Sequence, residues 1–306
     1  MPPALQILLA CWFLAISVQA IRKRDARLWQ ILVVGVVCVL GVGCVGVALQ
    51  IAARHTAKYD LWLYTADTAL GSPAFAMARL LRPTALFRVL VVVYEAMPMA
   101  ILLVYAAHLL RDGTPQRVLA AFALNFGAGY CLYLLLPACG PEYAFAGFPA
   151  VRPGMPALHT LQVLAPPNCM PSLHTSTALL ACWFCGRWRL ARWTARLNLL
   201  LTVLATLATG EHYLVDLVVA APFTAFVYGV AQRAYIPAAA WLALVLAWCG
   251  ALRFGVVWIT EAPPVFLCIC VVSVAAAWWL GARMGATATR RFTNQMEYNA
   301  AVRTPA

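Results

Sequence analysis

Long apolar segments, separated by short polar or basic stretches, run through this chain from end to end. A helix needs about 20 mostly apolar residues to cross a bilayer. The segments 3–20, 31–53, 86–108, 117–136, 213–232, 236–258 and 264–282 approach or meet that length, and 173–186 and 197–210 are shorter. The pattern predicts an all-α polytopic bundle of eight or nine transmembrane helices. It breaks at 137–171, where Pro137, Pro141, Pro149, Pro153, Pro156, Pro166, Pro167 and Pro171 exclude a continuous helix. A second irregular stretch, 54–88, mixes His55, Lys58, Asp60, Asp67, Arg79 and Arg82 with Trp62 and Tyr64. Such a mixture reads as an interfacial segment, either one wall of a lipid-headgroup site or a lid over the bundle.

Composition agrees with the pattern. The 306 residues are 64% hydrophobic and 10% charged, against about 25% charged in soluble domains. The net charge of +12 does not point to nucleic acid, because the basic residues sit in short clusters between apolar segments. These are Arg22-Lys23-Arg24 with Arg27, then Arg111 and Arg117, then Arg187, Arg189, Arg192 and Arg196, then Arg233, and last Arg283, Arg290 and Arg291. Counting spans places every cluster on one side, which the positive-inside rule makes cytoplasmic, with the N-terminus outside and the C-terminus inside. Val18-Gln19-Ala20 resembles a signal cleavage site, but Met1 to Gln6 carries no basic residue, so an uncleaved anchor is expected. The eleven cysteines show no paired metal spacing. Cys139 and Cys169 share the outer loop, as free thiols or as a disulfide in an oxidising compartment.

Two polar islands interrupt the apolar background: Pro171-Ser172-Leu173-His174, and Gly210-Glu211-His212-Tyr213-Leu214-Val215-Asp216. Ionisable groups at membrane depth are costly and mark sites. The topology brings both islands to the outer face, and His212 and Asp216 share a helix face if that stretch is helical. A neutral imidazole can attack phosphorus and split one displacement into two. His212 suits that role, with Asp216 on its far nitrogen fixing the tautomer and balancing developing charge. His174 suits the general acid that protonates the departing alkoxide. It lies at a helix start, where free N–H groups and the dipole favour a phosphate anion. Ser172 offers a hydroxyl donor or a helix cap. Arg152 is the first candidate cation for the phosphoryl oxygens, Lys58 a weaker one, and Asn168 a further donor; Tyr213 lies within the second island. Two histidines and an aspartate can also hold zinc or iron, but the helix start favours an anion. Metal and cofactor are therefore expected to be absent. Glu95, a carboxylate within an apolar span, is expected to face the interior, His108 to be interfacial at the cytoplasmic end of the same span, and His55 and His159 to be outer-face bystanders.

The two islands resemble the second and third signature motifs of the type 2 phosphatidic acid phosphatase superfamily. They are closest to the branch of inositolphosphorylceramide and sphingomyelin synthases, whose third motif reads His-Tyr-x-x-Asp. Leu136-Pro137-Ala138-Cys139-Gly140-Pro141-Glu142-Tyr143 resembles that branch's segment ahead of the second motif. The resemblance implies a six-helix core with its site at the outer face, no metal, and the roles given above. It divides the chain into N-terminal spans with the outer segment (1–85), a catalytic core (86–232), and C-terminal spans with a cytoplasmic tail (233–306). The phosphatase branch also carries Lys-x6-Arg-Pro and an arginine six residues before the third-motif histidine. Here Phe75 and Phe145 hold the lysine places ahead of Arg82-Pro83 and Arg152-Pro153, and Thr206 holds the arginine place. These departures favour the transferase branch.

The expected protein is thus an integral-membrane enzyme, a phosphotransferase of a bacterial inner membrane with its site on the periplasmic or outer face. It would pass a phosphorylated headgroup from a phospholipid to a lipid or polyol hydroxyl through a phosphohistidine. The alternative is a lipid phosphate phosphatase that uses water. A proton-coupled transporter would show inverted repeats and paired broken helices, and a scaffold would tolerate loss of both histidines.

Overall fold

The computed structural model describes residues 3–303 apart from 56, 112, 156 and 187, without the side chains of 3–10, 42, 55, 259, 260, 282 and 285–303. The helices in chain order are α1 (Pro3–Lys23), α2 (Ala26–His55), α3 (Asp60–Ala69), α4 (Pro73–Leu81), α5 (Ala85–Glu95), α6 (Met97–Leu110) and α7 (Pro115–Leu135). They continue with α8 (Pro141–Ala144), α9 (Leu173–Phe184), α10 (Arg189–Thr209), α11 (Leu214–Ala231), α12 (Tyr235–Phe254), α13 (Val256–Glu261) and α14 (Pro263–Arg303). Among the described residues there is no strand, only an isolated antiparallel bridge between Lys58 and Leu161.

α11 is apolar around its whole circumference and buried, as such a helix must be; it packs against α7, α9, α12 and α14. α2 and α14 instead expose rows of large apolar side chains: Val33, Val36, Val37 and Leu40 on the first, Val265, Leu267, Ile269 and Val272 on the second. In water such faces would aggregate, so hydrocarbon is their natural solvent. Inside, Asn125 of α7 accepts from Ser176 and donates to Thr177 of α9 at 3.2 Å, so these buried polar groups are paired.

Among the described residues, α2, α7, α11, α12 and the 263–281 part of α14 are long and apolar enough to span a membrane, and the α5–α6 pair, bent by 57°, makes a sixth. Against the eight or nine spans expected from sequence, five or six helices among the described residues meet that length and composition. α9 has 12 residues, about 18 Å of helix, too short for a hydrocarbon core of about 30 Å. α10 is long enough, but Arg189, Arg192 and Arg196 dilute its first turns. The bend between α5 and α6 falls at Ala96, just before Pro98, whose ring denies the helix an N–H.

The bundle has two chemically distinct ends. At one, Arg117 donates to Gln232 at 2.8 Å and Arg111 lies over the Trp188 ring at 5.6 Å, so three of the predicted basic turns meet there. His108 sits at this end, buried, with Nε2 3.1 Å from the Phe184 carbonyl. At the other end lie both polar islands, the proline-rich loop and α3–α4. The 54–88 stretch therefore forms two short helices packed into the fold. Most of α3 is buried, because Asp60 and Asp67 are consumed as hydrogen-bond hubs.

Candidate active site

The first island is built as a helix start. Ser172 caps α9, its hydroxyl accepting the Thr175 amide at 3.3 Å, and His174 follows in the first turn. The second island is a turn between two helices. α10 ends on Gly210 with φ +74°, and α11 begins after Tyr213. The islands touch directly: the Ser172 amide donates to the Asp216 carbonyl at 3.3 Å. The His174 and His212 rings lie 6.2 Å apart, centroid to centroid. His212 is buried, whereas His174 is partly exposed and stacks on Tyr94, at the end of α5, at 3.7 Å.

His212 Nδ1 is 2.8 Å from the Cys169 carbonyl and 3.6 Å from Asp216 Oδ2. A carbonyl can only accept, so Nδ1 carries the proton and Nε2 keeps a lone pair. The sequence reading gave tautomer control to Asp216; a backbone carbonyl holds the shorter bond. Asp216 Oδ2 instead accepts the Tyr213 amide at 2.7 Å and the Cys169 thiol at 2.7 Å. Its Oδ1 is buried with no hydrogen-bond partner. A carboxylate there acts on the neighbouring imidazole through charge.

The segment 136–143 braces this centre. Gly140 has φ +87°, and a Cβ there would lie 2.4 Å from the Glu211 carbonyl, so only glycine fits against the second island. Its neighbour Glu142 donates its amide to the Gly210 carbonyl at 2.9 Å. Asp60, at the start of α3, accepts from the amides of Cys139 and Gly140 and, at 3.0 Å, from the Tyr213 hydroxyl. Burial raises its carboxyl to about 6, against those three donors.

Asp67 accepts the Leu214 amide at 2.7 Å and so caps α11. Burial raises it to about 7, with the Asp216 charge adding to the rise and the Arg152 charge opposing it. Its Oδ2 has no hydrogen-bond partner. A raised carboxyl means that the folded state holds more protons, so stability falls as pH climbs from the ordinary aspartate range to about 7. Asp67→Asn keeps the cap oxygen and drops the charge. It should stabilise by about 1 kcal/mol, worth ~2–4 °C, at pH 8 and by less at pH 5; a thermal-shift series in detergent checks this.

The other candidates are dispersed. Lys58 is buried, donates to the Ala53 carbonyl at 3.2 Å, and is held by backbone pairing to Leu161. Burial lowers its pKa, with Asp60 and Cys139 opposing. Arg152 is exposed on the loop, near enough to Asp67 for its charge to act there. Asn168 has a buried side-chain oxygen without a hydrogen-bond partner. Tyr213 is buried on Asp60. Cys139 and Cys169 are both free thiols, donating to Asp60 at 3.5 Å and to Asp216 respectively.

The family's cation places are apolar here. Phe75 and Phe145 lie 6.0 Å apart in an aromatic cluster with Tyr64 and Phe148, and Thr206 is buried. Arg82 is engaged by the Ala208 and Thr209 carbonyls that end α10, and by Glu142. Glu95 lies at the α5–α6 bend, exposed, where it lines a cavity with Phe13, Gly35 and Met99, and its charge acts on Glu211 of the second island. His159 is exposed, bonded to the Ala157 carbonyl, and the His55 side chain lies outside the described residues.

Asp60, Asp67, Tyr94 and the Cys169 backbone are the parts of the site that sequence reasoning did not assign. Tyr94 had the weak signal of adjoining a charged residue in a span; a backbone carbonyl leaves no signal at all.

Two histidines and a carboxylate thus converge at one end of an all-helical bundle that carries helices long and apolar enough to cross a membrane. The model of the PAP2 superfamily matches residues 61–230, more than half of the chain, and the chain belongs to that superfamily. Its members are phosphatases and phosphotransferases, and this protein is an integral-membrane enzyme acting on phosphoesters. Neither curated proteins nor solved structures yield a match to it.

Proposed function

We propose that the protein is a lipid phosphotransferase. It moves a phosphorylated headgroup from a phospholipid to a lipid or polyol hydroxyl through a phosphohistidine on His212, in the manner of the inositolphosphorylceramide and sphingomyelin synthases. The observation that carries the proposal is the 2.8 Å approach of His212 Nδ1 to the Cys169 carbonyl, an acceptor that calls for the proton on Nδ1. It leaves Nε2 as the nucleophilic lone pair, with a second histidine ring 6.2 Å away. His212 attacks phosphorus, His174 protonates the leaving alkoxide, and the same imidazole then deprotonates the acceptor hydroxyl. Asp216 balances the charge that His212 gains.

Charge favours the transferase over the phosphatase. A phosphate monoester carries about −1.5 to −2 at neutral pH, whereas a phosphodiester carries a single negative charge. Phenylalanines at both lysine places, a buried threonine at the arginine place and an engaged Arg82 make a cation-poor site. Such a site suits the diester, with Arg152 as the available loop cation and Ser172, Asn168, Tyr213 and Lys58 supporting the site around it. The basic turns at the opposite end of the bundle support a periplasmic or outer-face site with a cytoplasmic C-terminus. The catalytic unit is proposed as 86–232 between flanking spans 1–85 and 233–306.

Incubation with headgroup-labelled phospholipids, with and without ceramide, diacylglycerol or polyol, tests this reading. A labelled product that requires an acceptor is expected; release to water alone would make the enzyme a lipid phosphate phosphatase. Asp216→Asn should lower turnover by about 10²- to 10³-fold, since two charges about 4 Å apart at an effective dielectric near 20 interact by ~4 kcal/mol. Because the Cys169 carbonyl still fixes the tautomer, folding and KM should hold while kcat falls. Steady-state kinetics on the purified variant decide it, and an unchanged kcat would remove Asp216 from the mechanism.

A further inference from the structure

The thiol of Cys169 has no part in the phosphoryl-transfer steps above, yet it lies in the same buried group as His212 and Asp216. Among the described residues these three are the one set of metal-binding side chains whose ligand atoms converge, all within 4.8 Å of one another. The Nδ1–Oδ2 distance from His212 to Asp216 is 3.6 Å. Tetrahedral zinc, with bonds of about 2.0–2.3 Å, separates its ligands by nearly that much. The Cys169 thiol is closer, 2.7 Å from Asp216 Oδ2, and would have to draw back by about 1 Å to admit an ion. Asp216 Oδ1, buried without a hydrogen-bond partner, is a second carboxylate oxygen that such an ion could take. A thiolate, an imidazole and one carboxylate form a donor set for borderline and soft divalent ions, not for calcium or magnesium.

We propose that Cys169, His212 and Asp216 form a binding site for a thiophilic divalent cation of the zinc class, whose occupation switches the enzyme off. The second half of this statement rests on His212 being the nucleophile. The chemistry is balanced: the ion forms bonds to Cys169 sulfur and His212 Nδ1, and the thiol proton leaves to solvent. The Nδ1 proton moves to Nε2. A neutral His212 metallated on Nδ1 thus carries N–H where it needs a lone pair, and it loses the Asp216 carboxylate to the ion. The neighbour His174 is partly exposed, whereas His212 is buried.

The test uses the full-length protein in detergent, with the exposed Cys11, Cys44, Cys131 and Cys268 replaced by serine. Cobalt(II) serves as the spectroscopic probe. One equivalent should produce thiolate-to-metal absorption in the near ultraviolet, retained in Cys139→Ala and absent from Cys169→Ala. No such band in the folded parent, or an equal band in Cys169→Ala, would overturn the site. Phosphoester turnover is then measured with zinc. Micromolar zinc should inhibit the parent reversibly by chelator, and Cys169→Ala should need at least about tenfold more, a shift of ~1.4 kcal/mol. A cobalt band without zinc inhibition would keep the site and count against His212 as the nucleophile. If Cys169→Ala fails to fold, the parent band alone decides the first question, with Asp216→Asn weakening it.

Discussion

His212→Ala is expected to lower turnover on the order of 10⁵- to 10⁶-fold, the scale on which enzymes lose a covalent nucleophile. The loss should fall on kcat and should be the same for every donor headgroup and acceptor, because all routes share one intermediate. The fold should survive. The substitution leaves the Cys169 carbonyl without its 2.8 Å partner, a cost of about 1–3 kcal/mol for a buried unpaired group. His212 precedes α11, whose own residues pack against α3, α7, α9, α12 and α14. Size-exclusion elution and thermal stability measured beside turnover separate a chemical loss from an unfolded one. A variant that folds and still turns over within tenfold of the parent would end the phosphohistidine reading.

His174→Ala should cost about 10⁴-fold on a phospholipid, at the upper end of what general acid catalysis contributes. The departing group is an alkoxide whose parent alcohol is nearly as weak an acid as water, so it leaves poorly without a proton. The defect should shrink greatly on an aryl phosphoester, whose phenolate departs unaided. His212→Ala should show no such rescue, since a better leaving group does not restore a nucleophile. That contrast assigns the two rings, which lie only 6.2 Å apart, to different steps. Equal defects on lipid and aryl substrates would instead make His174 a binding or packing residue, consistent with its 3.7 Å stack on Tyr94.

The site was legible in the sequence wherever chemistry stood out from an apolar background. His174, His212 and Asp216 are costly residues in a membrane chain, and topology sufficed to bring their segments to one end. What stayed hidden depends on groups that sequence does not display. The bond that sets the His212 tautomer comes from a backbone carbonyl, which any residue at position 169 supplies. Asp60 and Asp67 read only as members of a mixed interfacial stretch, yet they knot α3 to residues about 80 to 150 positions later. Hydropathy treats 86–108 as one span, while the structure bends it by 57° beside Glu95. Hydropathy alone also does not separate a 12-residue buried helix such as α9 from a membrane-crossing one, because the two have similar composition.

The most direct measurement is a rapid quench with a donor phospholipid labelled at phosphorus. The purified protein is mixed with donor in the absence of acceptor, denatured in alkali, and digested. The account predicts label on one peptide, stable to base and labile to acid, carried on His212 and missing from His212→Ala. It should be discharged when acceptor is added before the quench. Label absent from the protein while product still forms, or label retained in His212→Ala, would contradict it.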